Sequence, residues 1–291
     1  MSSILIIEYF FVGFAKFAST LKHHTFILLF IFFSSLGFCQ NLQSVKWNNL
    51  GLRKFNKQNF KEALADFNKA IEIDAAFISA HNNRGITYTK LKKFDLAEQD
   101  FSYCISKDQE NTTAWFNRAA AKQASEDYKS AIICYEHVLQ SEPSDIQALI
   151  QIGICQKELK SYKKSLAAFH SALLLDNSNT QTYIQRGLLK MSKNKNEESL
   201  LDFNTATDLD SNCLEAYYYK ALAKMELGKY SSARKDLTIV ITKDPLNADA
   251  YYKRGVANFD NGSKKKACAD FRKAMELQHK LAKATLTKYC N

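Results

Sequence analysis

The stretch Asn83-Arg84-Gly85 returns as Asn117-Arg118-Ala119, Gln151-Ile152-Gly153 and Gln185-Arg186-Gly187, each 34 residues after the last. Asn49-Leu50-Gly51 precedes the series, and Tyr219-Lys220-Ala221 and Lys253-Arg254-Gly255 continue it. A fixed period of this length is the mark of a repeat architecture. Seven units follow without insertion or deletion over residues 44–77, 78–111, 112–145, 146–179, 180–213, 214–247 and 248–281.

With each unit numbered from 1 to 34, position 8 is small: Gly51, Gly85, Ala119, Gly153, Gly187, Ala221 and Gly255. Position 20 is small as well, with Ala63, Ala97, Ala131, Ser165, Ser199, Ala233 and Ala267. Position 24 is large, with Phe67, Phe101, Tyr135, Phe169, Phe203, Leu237 and Phe271. Small columns let two backbones approach while the large one fills the space beside them, so the unit reads as an antiparallel helix pair. Pro143 and Pro245 both fall at position 32, where they end one pair before the next. Gly228 and Gly262 fall at position 15, where the turn between helices can need positive φ. Composition agrees: nine Gly and two Pro against 20 Phe and 14 Tyr favour long helices over strands and tight turns.

The pattern resembles the tetratricopeptide repeat family, whose signature is Trp, Leu, Gly and Tyr on the first helix, Ala and Phe on the second, then Pro. Trp47 and Trp115, joined by Tyr183, Tyr217 and Tyr251, occupy position 4. Units two, six and seven fit best. Unit four departs most, with Leu149, Gln156, Ser165 and Asn177 at signature positions. The resemblance implies an all-α, right-handed α-solenoid of seven helix-turn-helix repeats. Residues 282–291 read as a capping helix, with Ala282, Leu286 and Tyr289 on its apolar face.

Within a unit, Arg84, Arg186, Arg254 and Lys220 at position 7 accompany Asp100, Asp202, Asp270 and Asp236 at position 23. This covariation predicts basic and acidic partners across the two helices. The third and fourth units lose the Asp, setting Arg118 opposite Cys134 and Ile152 opposite Ala168.

Ahead of the repeats, Lys22, His23 and His24 lead into the apolar run Phe26 to Phe33 and then a short segment to Cys39 and Gln40. Residues 1–39 therefore read as a signal peptide or apolar leader. Its core is too short to span a bilayer, so no stable transmembrane anchor is expected after its removal. An exported location follows: periplasmic, envelope-associated or secreted. Lipidation of Cys39 is a competing reading, against which bulky Phe38 stands. The apolar stretch Ile4 to Ala18 carries Glu8 and Lys16 and is either part of a long signal region or an overextended start.

Six cysteines remain beyond Cys39. Cys268 on the second helix of unit seven and Cys290 on the cap that should fold back on it form a candidate disulfide, as in exported bacterial proteins that the chain resembles. Two buried thiols are the alternative. No CxxC or Cys/His spacing points to a metal, and no cofactor is implied.

In the resembled family, positions 2, 5, 6, 9, 12 and 13 of the first helices line a concave groove. Position 6 here carries Asn49, Asn83, Asn117, Gln151 and Gln185, a ladder of carboxamides able to pair with the N–H and C=O of an extended peptide whatever its side chains. Inherited consensus at this position explains the same column equally well. The family's two-carboxylate clamp is not reproduced: Asn48, Leu52, Thr113 and Asn117 depart from it, and only Asn83 matches. Toward the C-terminal end Tyr218, Tyr219 and Tyr252 stand among Glu215, Glu226, Asp249 and Asp260, either as a contact hot spot or packed against the cap.

A net charge of +10 is spread along the chain, with Lys264 to Lys266 the longest basic run, so solvated helix faces are expected, with a polyanion or nucleic-acid binder as the weaker alternative. The repeats leave no room for a catalytic domain, and His81, His137, His170 and His279 sit in no catalytic pattern. A non-catalytic scaffold for a protein or peptide partner, without a small-molecule substrate, is the expectation. A structural subunit of an envelope or secretion assembly working through its lateral surface is the alternative.

Overall fold

The computed structural model describes residues 42–290. The leader and the fate of Cys39 lie outside them. Fifteen helices and no strands occur among the described residues. Residues 42–56 form α1, followed by α2 (Phe60–Ile73), α3 (Ile78–Lys90), α4 (Phe94–Lys107) and α5 (Thr112–Ala124). Then come α6 (Tyr128–Ser141), α7 (Ile146–Glu158), α8 (Tyr162–Leu175), α9 (Thr180–Met191) and α10 (Asn196–Leu209). The last are α11 (Leu214–Glu226), α12 (Tyr230–Lys243), α13 (Ala248–Asp260), α14 (Lys264–Glu276) and α15 (Ala282–Tyr289). From α3 onward, every first helix of a pair starts 34 residues after the previous one.

The chain divides between Ser125 and Glu126 into two compact units, each an all-α stack of helix pairs. In the first, α3 packs on α2 and α4, α5 on α4, and α3 also meets α5 side by side. In the second, each helix from α6 to α15 packs on the next, and the first helices α7, α9, α11 and α13 form their own neighbouring row.

The core of a pair is the meeting of positions 8, 20 and 24. A methyl group added to Gly51, Gly85, Gly153, Gly187 or Gly255 would lie 2.5–2.8 Å from the ring of the Phe sixteen residues on. Position 20 is fully buried in all seven repeats. Where it is serine, the hydroxyl is satisfied locally: Ser165 donates to the Gly153 carbonyl at 2.7 Å and Ser199 to Asn196 at 2.8 Å. Ala221 stands where the partner is Leu237 rather than a ring, so the smaller side chain makes room for the extra carbon.

Two turns set the period. At position 15 all seven repeats take positive φ: Gln58, Lys92, Glu126, Lys160 and Asn194 at 57–64°, Gly228 at 70° and Gly262 at 78°. The left-handed step demanded by this turn is thus made by five residues that bear a side chain. Between pairs, Asp74, Asp176, Asp210 and Asp244 at position 31 each accept a hydrogen bond from the backbone N–H two residues on. Asn111, Asp145, Asn179 and Asn247 at position 34 cap the next first helix, each accepting at 2.9 Å from the third residue of that repeat.

Ion pairs tie the two helices together. Arg84 grips Asp100 with Nε and Nη2 at 2.9 and 2.7 Å, Arg186 holds Asp202, and Arg254 holds Asp270. The fourth expected pair is different: Lys220 donates to Thr207 Oγ1 at 3.1 Å, and Asp236 is taken by Lys224, one helical turn further along α11. Position 11 serves this carboxylate elsewhere too, through Lys54 to Asp66, and beside the position-7 arginine through Lys190 to Asp202 and Asn258 to Asp270. Arg118 instead reaches back to Glu98 of the preceding repeat at 2.6 Å.

The stack ends in α15. Ala282 is fully buried, Tyr289 lies 4.8 Å from the Phe259 ring, and Lys280, Lys283 and Lys288 are exposed. Cys268 of α14 is joined to Cys290 by a disulfide with Cα atoms 5.7 Å apart. Cys104, Cys134 and Cys155 are buried free thiols, and Cys213 is half-buried.

Candidate protein-interaction surface

Two of the position-6 carboxamides, Asn83 and Asn117, are engaged in holding repeats together. Asn83 Nδ2 donates to Asn48 Oδ1, and Asn117 Nδ2 donates to Asn82 Oδ1, both at 2.9 Å. Each bond joins a position-6 amide to the position-5 amide of the repeat before, so the first helices of the first unit are stitched side by side. A primary amide has two N–H donors and an acceptor oxygen, so Asn83 and Asn117 retain an N–H and the carbonyl. Asn49 is exposed. In the second unit position 5 is apolar and buried, at Ile150 and Ile184, and the same stitch cannot form. Gln151 and Gln185 are half-buried there, and Gln185 has no hydrogen-bond partner among the described residues.

The three tyrosines divide. Tyr252 stacks on His279 at 4.1 Å, touches the Phe271 ring at 5.6 Å and places its hydroxyl 3.3 Å from Thr285 of α15. It is packed by the cap, whose approach is reinforced by His279 Nε2 lying 3.0 Å from Asp249. Tyr218 and Tyr219 meet edge to face at 5.5 Å, and Tyr219 stacks on the core ring of Phe203 at 5.9 Å. Burial pushes the Tyr218 hydroxyl up to about 12, helped by Asp249 and Tyr219; burial and then Glu215 raise that of Tyr219. Both therefore present a neutral donor beside acidic residues, on rings held by the core.

His81 takes the aromatic place of position 4, stacked at 4.1 Å on Tyr103, with Nδ1 2.9 Å from Asp100 and Nε2 3.2 Å from the Ala75 carbonyl. It is a structural residue of the pair. Among the described residues no group of three His, Cys, Asp or Glu is placed to hold a metal, and no helix is long and apolar enough to cross a membrane.

What this architecture defines is a repeat scaffold of the kind used for protein–protein interaction. Family models described as tetratricopeptide repeat match residues 112–145 and 220–278, and one described as TPR repeat matches residues 51–92. The chain thus carries tetratricopeptide repeats in each of these three stretches. Among solved structures it is similar to a tetratricopeptide repeat protein from Parabacteroides merdae, with 20% identity, a TM-score of 0.65, and 86% of this chain and 100% of that one covered. YrrB, described as a TPR protein with an unusual peptide-binding site, is 23% identical with a TM-score of 0.52, covering 64% of this chain and 97% of its own. PilF of Pseudomonas aeruginosa is 14% identical with a TM-score of 0.58, covering 71% and 94%. No curated protein matches the chain.

Sequence reasoning missed the second task of the position-6 amides and the role of position 11. The signal for the first was the Asn at position 5 of the first two repeats, Asn48 and Asn82, which gives way to Phe116, Ile150 and Ile184 afterwards.

Proposed function

We propose that this protein is a non-catalytic adaptor that holds an extended segment of a partner protein along its first-helix faces. The observation that carries the reading is the state of Asn83 and Asn117: each amide is fixed in orientation by one bond to its neighbour and keeps a donor and an acceptor for a peptide backbone. Such groups are preorganised, so a ligand that pairs with them orders little. The second unit carries its own amides, Gln151 and Gln185, and its Tyr218–Tyr219 pair offers rigid aromatic area beside Glu215 and Asp249, suited to a neutral or basic stretch. Asn49 completes the column at the N-terminal side. The peptide-binding description of YrrB supports the class of ligand. The leader sequence and the bridged Cys268–Cys290 pair support an exported setting, periplasmic or at the envelope.

The alternative, a structural subunit gripped by its lateral surface, is favoured by Leu174 and Leu201 on second helices, 74% and 66% exposed. The two are separated by replacing Asn83, Asn117 and Gln151 together with Ala and crosslinking in the native organism. Adaptor action requires that partner recovery fall at least tenfold while the helical circular dichroism is kept. Undiminished recovery, with loss instead on Leu174→Ser and Leu201→Ser, would transfer the function to the lateral face.

A further inference from the structure

Position 21 of the second helix is apolar in four repeats, as Leu64, Ile132, Leu166 and Leu200. In repeat six it is Arg234. Around it opens a cleft of about 630 Å³, lined by α12 residues Arg234 and Lys235, the α13 residues Arg254 and Asn258, and the α14 residues Lys266 and Asp270. None of these stands at the six first-helix positions assigned above to a groove, so this is a separate surface.

Four cations there face one carboxylate, and that carboxylate is already spent. Asp270 accepts from both Nε and Nη2 of Arg254 and from Asn258 Nδ2 at 2.8 Å. Arg254 is locked further by Nη1 donating to Thr238 at 3.2 Å. Arg234 is aimed by two bonds, Nη1 to Asn258 Oδ1 at 3.1 Å and Nη2 to Ser231 Oγ at 3.4 Å. Its Nε, shielded from bulk solvent, has no hydrogen-bond partner among the described residues. Arg234 lines the cleft, and each of its Nη groups spends only one of two N–H bonds on these partners, so two oriented donors remain for an oxyanion. Lys235 and Lys266 stand exposed, with no ion pair or hydrogen bond formed by either among the described residues.

We infer that this cleft is a docking site for an acidic protein segment, one carboxylate taken by the fixed guanidinium of Arg234 and adjacent ones by Lys235 and Lys266. The planar fork of Arg suits a carboxylate, while the two lysines act as adaptable point charges. A cleft of this extent, open along one side, holds several residues of chain, and a lone phosphate would leave the lysines unanswered.

The test uses the full chain and a fluorescein-labelled hexaglutamate peptide, followed by anisotropy at low salt, with hexaglutamine as the uncharged probe and inorganic phosphate as competitor. Hexaglutamate binding that weakens steeply with salt and exceeds hexaglutamine at least tenfold is expected. Arg234→Leu restores the residue type of repeats one, four and five, so it keeps the fold while losing the oriented donor, and it should weaken hexaglutamate at least tenfold. Lys266→Gln should cost roughly threefold. The triple Ala variant of Asn83, Asn117 and Gln151 should bind hexaglutamate like the natural protein, which separates this site from the groove. Equal hexaglutamate binding by the natural protein and Arg234→Leu overturns the inference, as does displacement by phosphate at concentrations where the peptide itself shows no advantage over hexaglutamine.

Discussion

Replacing Gly187 with Ala probes the glycine–phenylalanine contact on which five of the seven repeats are built. The new methyl would sit 2.6 Å from Phe203 Cε1, 2.9 Å from Cζ and 3.1 Å from Cδ1, where carbon atoms prefer about 3.5–4.0 Å. The ring has nowhere to go, being fully buried among Ile184, Ala206, Ala216 and Ala223. Overpacking of this kind costs about 1–3 kcal/mol. Ala in place of Gly inside a helix returns about 1 kcal/mol. A net loss of about 1 kcal/mol remains. Phe203→Leu alone loses roughly 1–2 kcal/mol to the unfilled space. Together the two substitutions reproduce the Ala221–Leu237 arrangement that repeat six already uses, so the double variant should be no less stable than Phe203→Leu. A favourable coupling of about 1–2 kcal/mol follows. Urea midpoints of the four proteins read it, with amide exchange across α9 and α10 to confirm that the loss is local. Effects that add to within about 0.5 kcal/mol would mean that positions 8 and 24 do not share space, and the packing argument would fail.

The left-handed turn gives a pair of opposite signs: Lys92→Gly should stabilise by about 0.5–1 kcal/mol by relieving a strained side-chain-bearing residue, and Gly228→Ala, with no atom near the new methyl, should destabilise by about 1 kcal/mol through backbone strain alone. Urea midpoints moving in the same direction in both variants would refute this. Alkaline pH supplies another test, because burial holds the Cys104 and Cys155 thiols up at about 11 and about 12, and the Tyr218 hydroxyl at about 12. These groups ionise more easily in the unfolded chain, so the stability they contribute is complete below pH ~9 and lost as pH rises through 11–12. A urea midpoint that stays level between pH 8.5 and 11 would contradict their burial.

Much of the fold was legible because it repeats. A residue type constrained by packing reappears every 34 positions, and Gly85 with Phe101 or Arg186 with Asp202 could be paired on paper from the columns alone. Legibility failed where two side chains could serve one purpose. Lys220 and Lys224 lie one helical turn apart on α11, and only the closer approach of Lys224 to Asp236 decides between them. It failed too where backbone geometry outranks residue preference: Gly228 and Gly262 announced the left-handed turn, whereas Gln58, Lys92 and Lys160 make the same turn without any glycine to mark it. The amide column was visible, but its bond to the preceding repeat depends on Asn48 and Asn82, which only the juxtaposition of α1, α3 and α5 makes partners. Tyr252 illustrates the remaining limit, since an aromatic at a groove position looks the same on paper whether a ligand or the chain's own end covers it.

The bridge between Cys268 and Cys290 changes how load would travel through the molecule. Solenoids peel from their ends, one hairpin at a time. Here traction on the C-terminal tail passes through sulfur directly into the first half of α14, and the segment between the cysteines, which stand 22 positions apart, stays slack. Stretched in a single-molecule trace, the oxidised protein would pay out less chain than the reduced one by up to roughly 75 Å, the extended span of that segment. Any mechanical unravelling of the oxidised form must therefore begin somewhere other than its last helix.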